Sequence, residues 1–157
     1  MTAARQRGRR DPSAAFRWSI RVYWEDTDAA GIVFYANYLK FFERARSEWL
    51  RSLGFGQEAL RTTAGFGFVV TDTSLRYVEP ARLDDVLEIT VEVDHVGPAS
   101  VSVSQQASRA GRLLAEGAIR VGCVDLGTFR PRRIPDDILA RIGRRPSPRT
   151  PQEASRR

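Results

Sequence analysis

The hydrophobic pattern of this chain changes period once, and that change limits what the chain can fold into. Between residues 37 and 53, apolar side chains recur every three or four residues, a spacing typical of a helix. After residue 66 the spacing becomes two, most clearly at 87–94, where apolar and polar residues alternate without a break. Such alternation is typical of antiparallel strands with one buried and one solvated face. The sequence therefore predicts one long helix followed by several antiparallel strands.

The pattern also bounds the predicted elements. We expect strands at 18–23, 66–77, 87–94, 101–104 and 113–125, and helices at 37–53, 57–62 and 135–142. The long helix has a broad apolar surface, because Phe34, Leu39 and Phe41 widen its apolar stripe. It must therefore be covered on several sides. The predicted fold class is α+β, a hotdog fold in which an antiparallel β-sheet wraps a long central helix.

The charge of the chain is concentrated in its two ends. Of the net charge of +6, residues 1–15 carry +3 and residues 143–157 carry +4, which leaves −1 for residues 16–142. Both ends combine arginine with Pro, Ser, Thr or Gln, a composition typical of disordered chain. We expect a disordered basic tail at 1–15, one hotdog domain at 16–142, and a disordered, basic, proline-containing tail at 143–157. Because the domain itself is not basic, nucleic-acid binding is not predicted.

Two further features bear on the compartment. No segment approaches the ~18 apolar residues that a membrane-spanning helix needs, so membrane insertion is not expected. The single cysteine, Cys123, excludes an internal disulfide and fits a reducing cytoplasm, where we expect the protein to work. Cys123 lies in an apolar strand pattern and is predicted to be a buried small residue rather than a nucleophile.

Residues 26–38, DTDAAGIVFYANY, combine acidic side chains, a glycine and the start of the predicted long helix. A carboxylate can attack a carbonyl or activate water, and free N–H groups at a helix start can hold a developing oxyanion. The segment therefore predicts half of a hydrolytic site. Glu25, Asp26 and Asp28 could equally form a solvated acidic turn, and Asp26 could brace the loop through backbone hydrogen bonds. A metal site is not predicted, because no histidine or cysteine accompanies these acids.

Several stretches resemble one known family. Residues 23–38 and 42–46 are similar to the 4-hydroxybenzoyl-CoA thioesterase family of hotdog proteins. So are residues 77–85, which contain EPARLDD, and the stretch that starts at residue 120 and ends in FRPRRIP at 129–135. Within that family the chain looks most like the Tol-Pal-associated acyl-CoA thioesterases of the YbgC type. The resemblance covers about residues 17–140.

The resemblance assigns roles to residues of the acidic segment. It implies that Asp28 is the catalytic carboxylate, either as the nucleophile or as a general base. Gly31 would allow the close turn that brings the loop over the helix start. The backbone N–H of Tyr35 would point at the substrate carbonyl oxygen. Many YbgC-type sequences carry histidine at the position of Tyr35, whereas the only histidine here, His95, is predicted to be a partly exposed strand residue.

Coenzyme A brings phosphates that call for arginine or lysine near the mouth of the pocket. Some relatives supply these at the turn after the third strand, but residues 95–99 contain neither lysine nor arginine. Arg82, Arg130 and Arg132 are the candidate phosphate contacts instead, with Arg109 and Arg133 as further candidates. A thioester of an acyl carrier protein therefore stays open as an alternative substrate.

The predicted function is an acyl-CoA thioesterase that releases a free acid and CoA, with a link to the Tol-Pal envelope system implied by the resemblance. No cofactor is predicted, since coenzyme A is part of the substrate. The resemblance implies a homodimer at least, with a homotetramer as the alternative, and an exposed long edge strand gives a physical reason for such pairing. One alternative is a non-enzymatic acyl-carrier or protein-binding hotdog module. The other is a hotdog hydratase, which is disfavoured because residues 25–50 contain no histidine.

Overall fold

In the computed structural model, which describes residues 15–143, five antiparallel strands form one sheet that wraps the long helix. The strands are β1 Phe16–Arg21, β2 Phe66–Tyr77, β3 Val86–Val96, β4 Ser100–Arg109 and β5 Arg112–Asp125. The helices are α1 Asn37–Ser52, α2 Gln57–Ala59 with a π-turn continuing it over Leu60–Ala64, and α3 Asp136–Ile142. The order across the sheet is β1-β3-β4-β5-β2, so β1 and β2 form its two edges. The predicted α+β architecture is confirmed.

Helix α1 packs into the sheet through large apolar side chains. Phe41 and Phe42 are fully buried, as are Leu87 and Ile89 of β3. On β5, Gly117 lets the helix come close, because a Cβ at this position would lie 2.7 Å from the Ser74 carbonyl oxygen and 3.0 Å from the Phe42 ring. The sheet thus covers the Phe41 and Phe42 face of α1. The predicted widening of that face is wrong for two residues, because Phe34 and Leu39 are 44% and 39% exposed.

Two strands differ from the sequence prediction at their ends. Strand β1 starts two residues earlier than predicted and ends at Arg21, because the chain then enters a 3-10 turn at Trp24–Asp26. Strand β4 continues to Arg109, well beyond the predicted 101–104. Its extension is hidden in the sequence because a polar residue, Gln105, occupies a buried position between Val103 and Ala107. The Gln105 amide is satisfied there by donating to the Phe42 carbonyl at 3.1 Å.

Cys123 and His95 lie on two inner strands of the sheet, β5 and β3. Cys123 is buried, as predicted, and burial raises the pKa of its thiol. His95 is exposed on β3. Within residues 15–143, no helix is both long and apolar enough to cross a membrane. The predicted basic tails, 1–15 and 143–157, lie outside the described residues apart from their innermost residue.

Candidate active site

A tight hairpin carries Asp28 up to the start of helix α1. Thr27 and Val33 pair as an antiparallel bridge, and inside it the Asp28 N–H donates to the Ile32 carbonyl at 2.9 Å. Gly31 closes the turn with a φ of +76°, in the left-handed region that favours glycine. A Cβ on Gly31 would meet no atom within 4 Å, so the backbone conformation rather than lack of space calls for glycine here.

The carboxylate of Asp28 is exposed and held on one side only. Its Oδ1 accepts the Ala30 N–H at 2.8 Å, a local bond that fixes the side chain to the turn. Among the described residues, no hydrogen-bond donor reaches Oδ2. One oxygen therefore orients the group while the other stays available to water or to a substrate carbon.

Asp26 has a different role from Asp28, because it is almost fully buried. Its Oδ2 accepts the Tyr23 N–H at 2.8 Å, and its Oδ1 accepts the side-chain amide of Asn37 at 2.9 Å. Its backbone carbonyl accepts the Phe34 N–H, also at 2.9 Å. Of the two possibilities open from the sequence, the structure shows the brace: Asp26 ties the hairpin to the first residue of α1.

The start of α1 presents main-chain donors. The Phe34 carbonyl accepts the Asn37 N–H at 2.8 Å and so points toward the helix. In a trans peptide the carbonyl and the next N–H point in opposite directions, so the Tyr35 N–H faces away from the helix. Within the described region, the N–H groups of Tyr35 and Ala36 have no acceptor. No side chain caps the helix, which leaves these donors open to an oxyanion.

Tyr77, at the end of β2, contacts this donor segment. Its hydroxyl donates to the Tyr35 carbonyl at 2.8 Å, while the Tyr35 side chain itself is 64% exposed. The Tyr77 ring packs edge-on against Tyr38, with 5.6 Å between the ring centroids. Partial burial raises the pKa of Tyr77, and the neighbouring Tyr35 adds to the rise, so the hydroxyl keeps its proton at neutral pH.

Sequence reasoning missed Tyr77 and Asn37 as parts of this site. Tyr77 looks like any aromatic strand residue, and 42 positions separate it from its partner Tyr35. Asn37 stands at the start of the long helix, where the pattern shows only that the helix begins. The one available signal was the polar residue Asn37 among aromatic neighbours at the beginning of an apolar helix.

The candidate phosphate contacts fall into two places. Arg82 pairs through its backbone with Ile32 of the hairpin, so it lies beside the Asp28 loop. Arg130 and Arg132 follow β5 at the other end of the sheet, where the Arg132 guanidinium lies 5.1 Å from the centroid of the Phe66 ring.

Strand β2 separates these two places. It runs for 12 residues from Phe66 to Tyr77, a length of about 40 Å at ~3.3 Å per residue. In a single chain, Arg82 is therefore near Asp28, and Arg130 and Arg132 are far from it.

A groove of about 120 Å³ opens between the later turns of α1 and the sheet. Trp49, Phe68 and Val70 give it an apolar lining, and Arg46 adds a guanidinium. Arg46 is held by a 2.8 Å bond to the buried Gln105 Oε1, and burial lowers the pKa of this arginine. The groove lies toward the Phe66 end of β2, away from the Asp28 hairpin of the same chain.

Metal-binding side chains are not grouped in the described part of the chain. Within residues 15–143 there is no set of three or more His, Cys, Asp or Glu side chains placed to hold a metal ion. The site is thus built from one exposed carboxylate, a left-handed glycine turn and main-chain donors at a helix start. This combination suits attack on an activated carbonyl.

Comparisons with known proteins place this chain in a family. Residues 22–142 match the profile of the thioesterase-like superfamily. The acyl-CoA thioesterase YbgC of Haemophilus influenzae is 42% identical over 125 residues, covering 80% of this chain and 92% of that protein. The acyl-CoA thioester hydrolase YbgC of Escherichia coli O157:H7 is 44% identical over 126 residues, covering 80% and 93% respectively.

Solved structures agree with the fold. A probable thioesterase from Bartonella henselae superposes with a TM-score of 0.75 at 32% identity, covering 78% of this chain and all of that one. A 1,4-dihydroxy-2-naphthoyl-CoA thioesterase from Synechocystis superposes with a TM-score of 0.76 at 22% identity, which bears on the fold alone. The predicted family resemblance and hotdog fold are both confirmed.

Proposed function

Because this chain belongs to the thioesterase-like superfamily, we propose that it hydrolyses an acyl-CoA thioester to a free acid and CoA, with Asp28 as the catalytic carboxylate. The predicted enzyme class, a thioester hydrolase, is confirmed by curated relatives of that name at 42–44% identity. One observation supports this role of Asp28. Its carboxylate, with one oxygen free of hydrogen bonds, lies on a hairpin that leads directly to the Tyr35 and Ala36 N–H groups, which have no acceptor in the described region.

The chemistry follows from these two parts. In one route, an Asp28 oxygen attacks the thioester carbon, CoA leaves as the thiolate, and water then hydrolyses the acyl-aspartate anhydride. In the other, Asp28 takes a proton from a water molecule that attacks the same carbon. A thiolate is a good leaving group, so a modestly activated nucleophile suffices in both routes. In each, the Tyr35 N–H donates a hydrogen bond to the carbonyl oxygen as negative charge develops on it.

This mechanism does not need a histidine. The donor at Tyr35 is a main-chain group, so the tyrosine in place of histidine leaves it intact. The sole histidine, His95, lies near the end of β3, whereas Arg82 and the Asp28 hairpin lie near the beginning of that strand. The absence of histidine near α1 also argues against a hydratase.

We also infer a homodimer in which the two sheets join through β2. In the described part of the chain this strand is an edge of the sheet, and its Val70 side chain is 51% exposed. An unpaired edge of this length readily takes up a second strand. A homotetramer built from two such dimers is the alternative.

Antiparallel pairing of two β2 strands about their middle would bring together groups that are distant in one chain. The Tyr77 end of one strand would lie beside the Phe66 end of the other. Asp28 of one copy would then face the groove at Phe68 and Val70 of its partner, an apolar space for the acyl group. Arg130 and Arg132 of the partner would approach the same site, where they could meet the CoA phosphates with Arg82.

The phosphate contacts can be tested with a substrate that lacks them. Arg82→Gln is expected to raise KM for acyl-CoA about tenfold, since a charge-assisted contact is lost. It should leave KM unchanged for the matching N-acetylcysteamine thioester, which has no phosphate. Arg17→Gln is the control, because Arg17 lies on β1, at the opposite edge of the sheet from β2. Equal effects on both substrates would argue against a phosphate contact and for a carrier-protein substrate or a structural role.

We also propose that this enzyme is cytoplasmic and is linked to the Tol-Pal envelope system. The support is the similarity to YbgC proteins. Copurification of Tol-Pal components with the tagged full chain, lost when the chain is replaced by an unrelated hotdog protein, is the expected result. Absence of any such component would remove this part and leave the hydrolase assignment in place.

The central experiment is a panel of aromatic and aliphatic acyl-CoA thioesters assayed by capture of the released thiol. Asp28→Asn is expected to lower kcat by about 10²–10⁴-fold. Glu25→Gln, an exposed acid of the same segment, should retain activity. An inactive wild type, or an Asp28→Asn variant as fast as wild type, would overturn the mechanism. An inactive wild type that still binds acyl-CoA would favour the non-enzymatic module.

A further inference from the structure

We propose that Tyr77 is a positioning residue for this reaction. Its hydroxyl holds the main chain just before α1 so that the Tyr35 N–H faces the thioester oxygen. The inference rests on the proposed function, and it assigns a role to a side chain that comes from a different element of the fold. Tyr77 is the last residue of β2, 42 positions from Tyr35.

Two peptide planes flank Tyr35, and each is fixed by one hydrogen bond. The Phe34–Tyr35 peptide contains the donor N–H and is held by the Asn37 N–H, which reaches the Phe34 carbonyl at 2.8 Å. The Tyr35–Ala36 peptide is held by the Tyr77 hydroxyl, which reaches the Tyr35 carbonyl at 2.8 Å. The Tyr35 N–H lies in the first plane. The second plane contains the Ala36 N–H and joins the first at the Tyr35 Cα, so fixing it limits how far the first plane can rotate.

The Tyr77 bond replaces one that a regular helix would make. In an α-helix, the Tyr35 carbonyl would accept the N–H of the residue four positions later, Leu39. Here the Leu39 N–H donates to the Ala36 carbonyl at 3.1 Å, a tighter i to i+3 turn. The Tyr35 carbonyl is thus free for a partner from outside the helix. Without the Tyr77 hydroxyl, the Leu39 N–H could donate to the Tyr35 carbonyl instead. Residues 35 and 36 would then become part of the helix.

Tyr77 is itself held in place. Its backbone pairs with Ala115 of β5, and its ring packs at 5.6 Å from the buried Tyr38 ring. The Tyr38 hydroxyl in turn accepts the Ala81 N–H at 3.3 Å, just before Arg82. The hydroxyl of Tyr77 therefore approaches the donor segment from a fixed point on the sheet.

The test removes only the hydroxyl. Loss of an oxyanion donor typically costs ~10²–10³ in rate, so loss of its positioning bond should lower kcat about tenfold. Tyr77→Phe in the full chain is expected to do this with KM within about twofold of wild type. Tyr23→Phe makes the same chemical change at a tyrosine that is 63% exposed, and should match wild type. The melting temperatures of the two variants should agree.

A spectroscopic measurement distinguishes positioning from a general structural effect. In an Asp28→Asn background, benzoyl-CoA labelled with ¹³C at the carbonyl can be bound without turnover. A well-aligned donor lowers the infrared stretching frequency of that carbonyl. Adding Tyr77→Phe is expected to move the band back toward its position in free substrate, and adding Tyr23→Phe should leave it unmoved.

The outcomes distinguish a failure of the proposed function from a failure of the role of Tyr77. An active Asp28→Asn enzyme, or a wild type that hydrolyses no thioester, would overturn the proposed function and this inference with it. An inactive Asp28→Asn enzyme with unchanged kcat in Tyr77→Phe would overturn only the role of Tyr77. A lowered kcat with an unmoved carbonyl band would do the same.

Discussion

The buried carboxylate of Asp26 accepts a hydrogen bond of 2.9 Å from the side-chain amide of Asn37, and this bond joins the hairpin to helix α1. Asp28, two residues further on, is exposed and has a free oxygen. The same short acidic segment therefore contains one carboxylate that fixes geometry and one that is available for chemistry. The environment of each residue, rather than its type, separates the two roles.

Asp26→Asn tests the brace. The new amide would place an NH₂ group against the Tyr23 N–H or the Asn37 amide, leaving buried donors unpaired. We expect a loss of about 1–3 kcal/mol in the free energy of unfolding, measured by urea denaturation, and a lower kcat. Glu25→Gln is the exposed control. Wild-type stability in Asp26→Asn would mean that the brace contributes little to the fold.

Gly31→Ala tests the hairpin turn, and Gly56 provides a matched control. At both positions a Cβ would meet no atom within 4 Å, but only Gly31 has a positive φ, +76°. Gly31→Ala is expected to lose about 1–2 kcal/mol of stability and to lower kcat by displacing Asp28. Gly56→Ala should stay within about 0.5 kcal/mol of wild type, because the entropy gain of alanine is offset by its weaker preference for the N-cap of α2. Similar stabilities of the two variants would contradict a conformational role for Gly31.

The ion pair between Asp85 and Arg109, 2.6 Å apart, predicts a pH dependence. Burial alone would raise the pKa of Asp85, but the Arg82 N–H and the Arg109 guanidinium outweigh it and hold the pKa below its ordinary value. A depressed pKa in the folded state stabilises the fold above the ordinary carboxyl pKa of about 4. That contribution is lost as the pH falls through the depressed value.

Asp85→Asn should therefore be less stable than wild type by about 1 kcal/mol at pH 7. The difference should shrink as the pH falls below about 4, as measured by urea denaturation across the range. Asp136→Asn removes an exposed carboxylate that lies 3.4 Å from Arg133 in the first turn of α3, and should cost no more than about 0.5 kcal/mol. A constant difference between wild type and Asp85→Asn at all pH values would exclude the electrostatic explanation.

Val70→Lys tests the proposed interface along β2. A charge at this 51% exposed edge position should weaken pairing of two sheets, and edge lysines are a common natural defence against it. We expect at least a tenfold rise in the dimer dissociation constant, measured by analytical ultracentrifugation. Val86→Lys makes the same change at a 44% exposed position on β3. Equal association of the two variants would place the interface elsewhere.

The sequence predicted the architecture well because local patterns encode it. The long helix and the 66–77 strand follow directly from hydrophobic spacing, and the observed elements are Asn37–Ser52 and Phe66–Tyr77. The end of β4 was missed because Gln105 breaks the apolar alternation while being buried and hydrogen-bonded. Burial of a polar side chain depends on partners far along the chain, which local spacing does not report.

The site was predictable only in part, for a similar reason. Family resemblance identified Asp28, Gly31 and Tyr35 as candidates, and the structure places all three on one hairpin and helix start. The contact from Tyr77 arises because β2 ends beside α1, a consequence of the three-dimensional fold. Arg82 lies beside the Asp28 hairpin, whereas Arg132 lies near the other end of β2. Both positions likewise depend on how the strands are arranged in the folded sheet.

The position of Tyr77 at the end of an edge strand has a consequence for how the enzyme should be assayed. If β2 is where two copies meet, Tyr77, which holds the Tyr35 segment, lies at the dimer interface. The same side chain would then affect both dimer formation and turnover. The activity per chain would then depend on the fraction of chains that are in dimers. On dilution below the dissociation constant, specific activity should fall while the circular dichroism of each chain is retained.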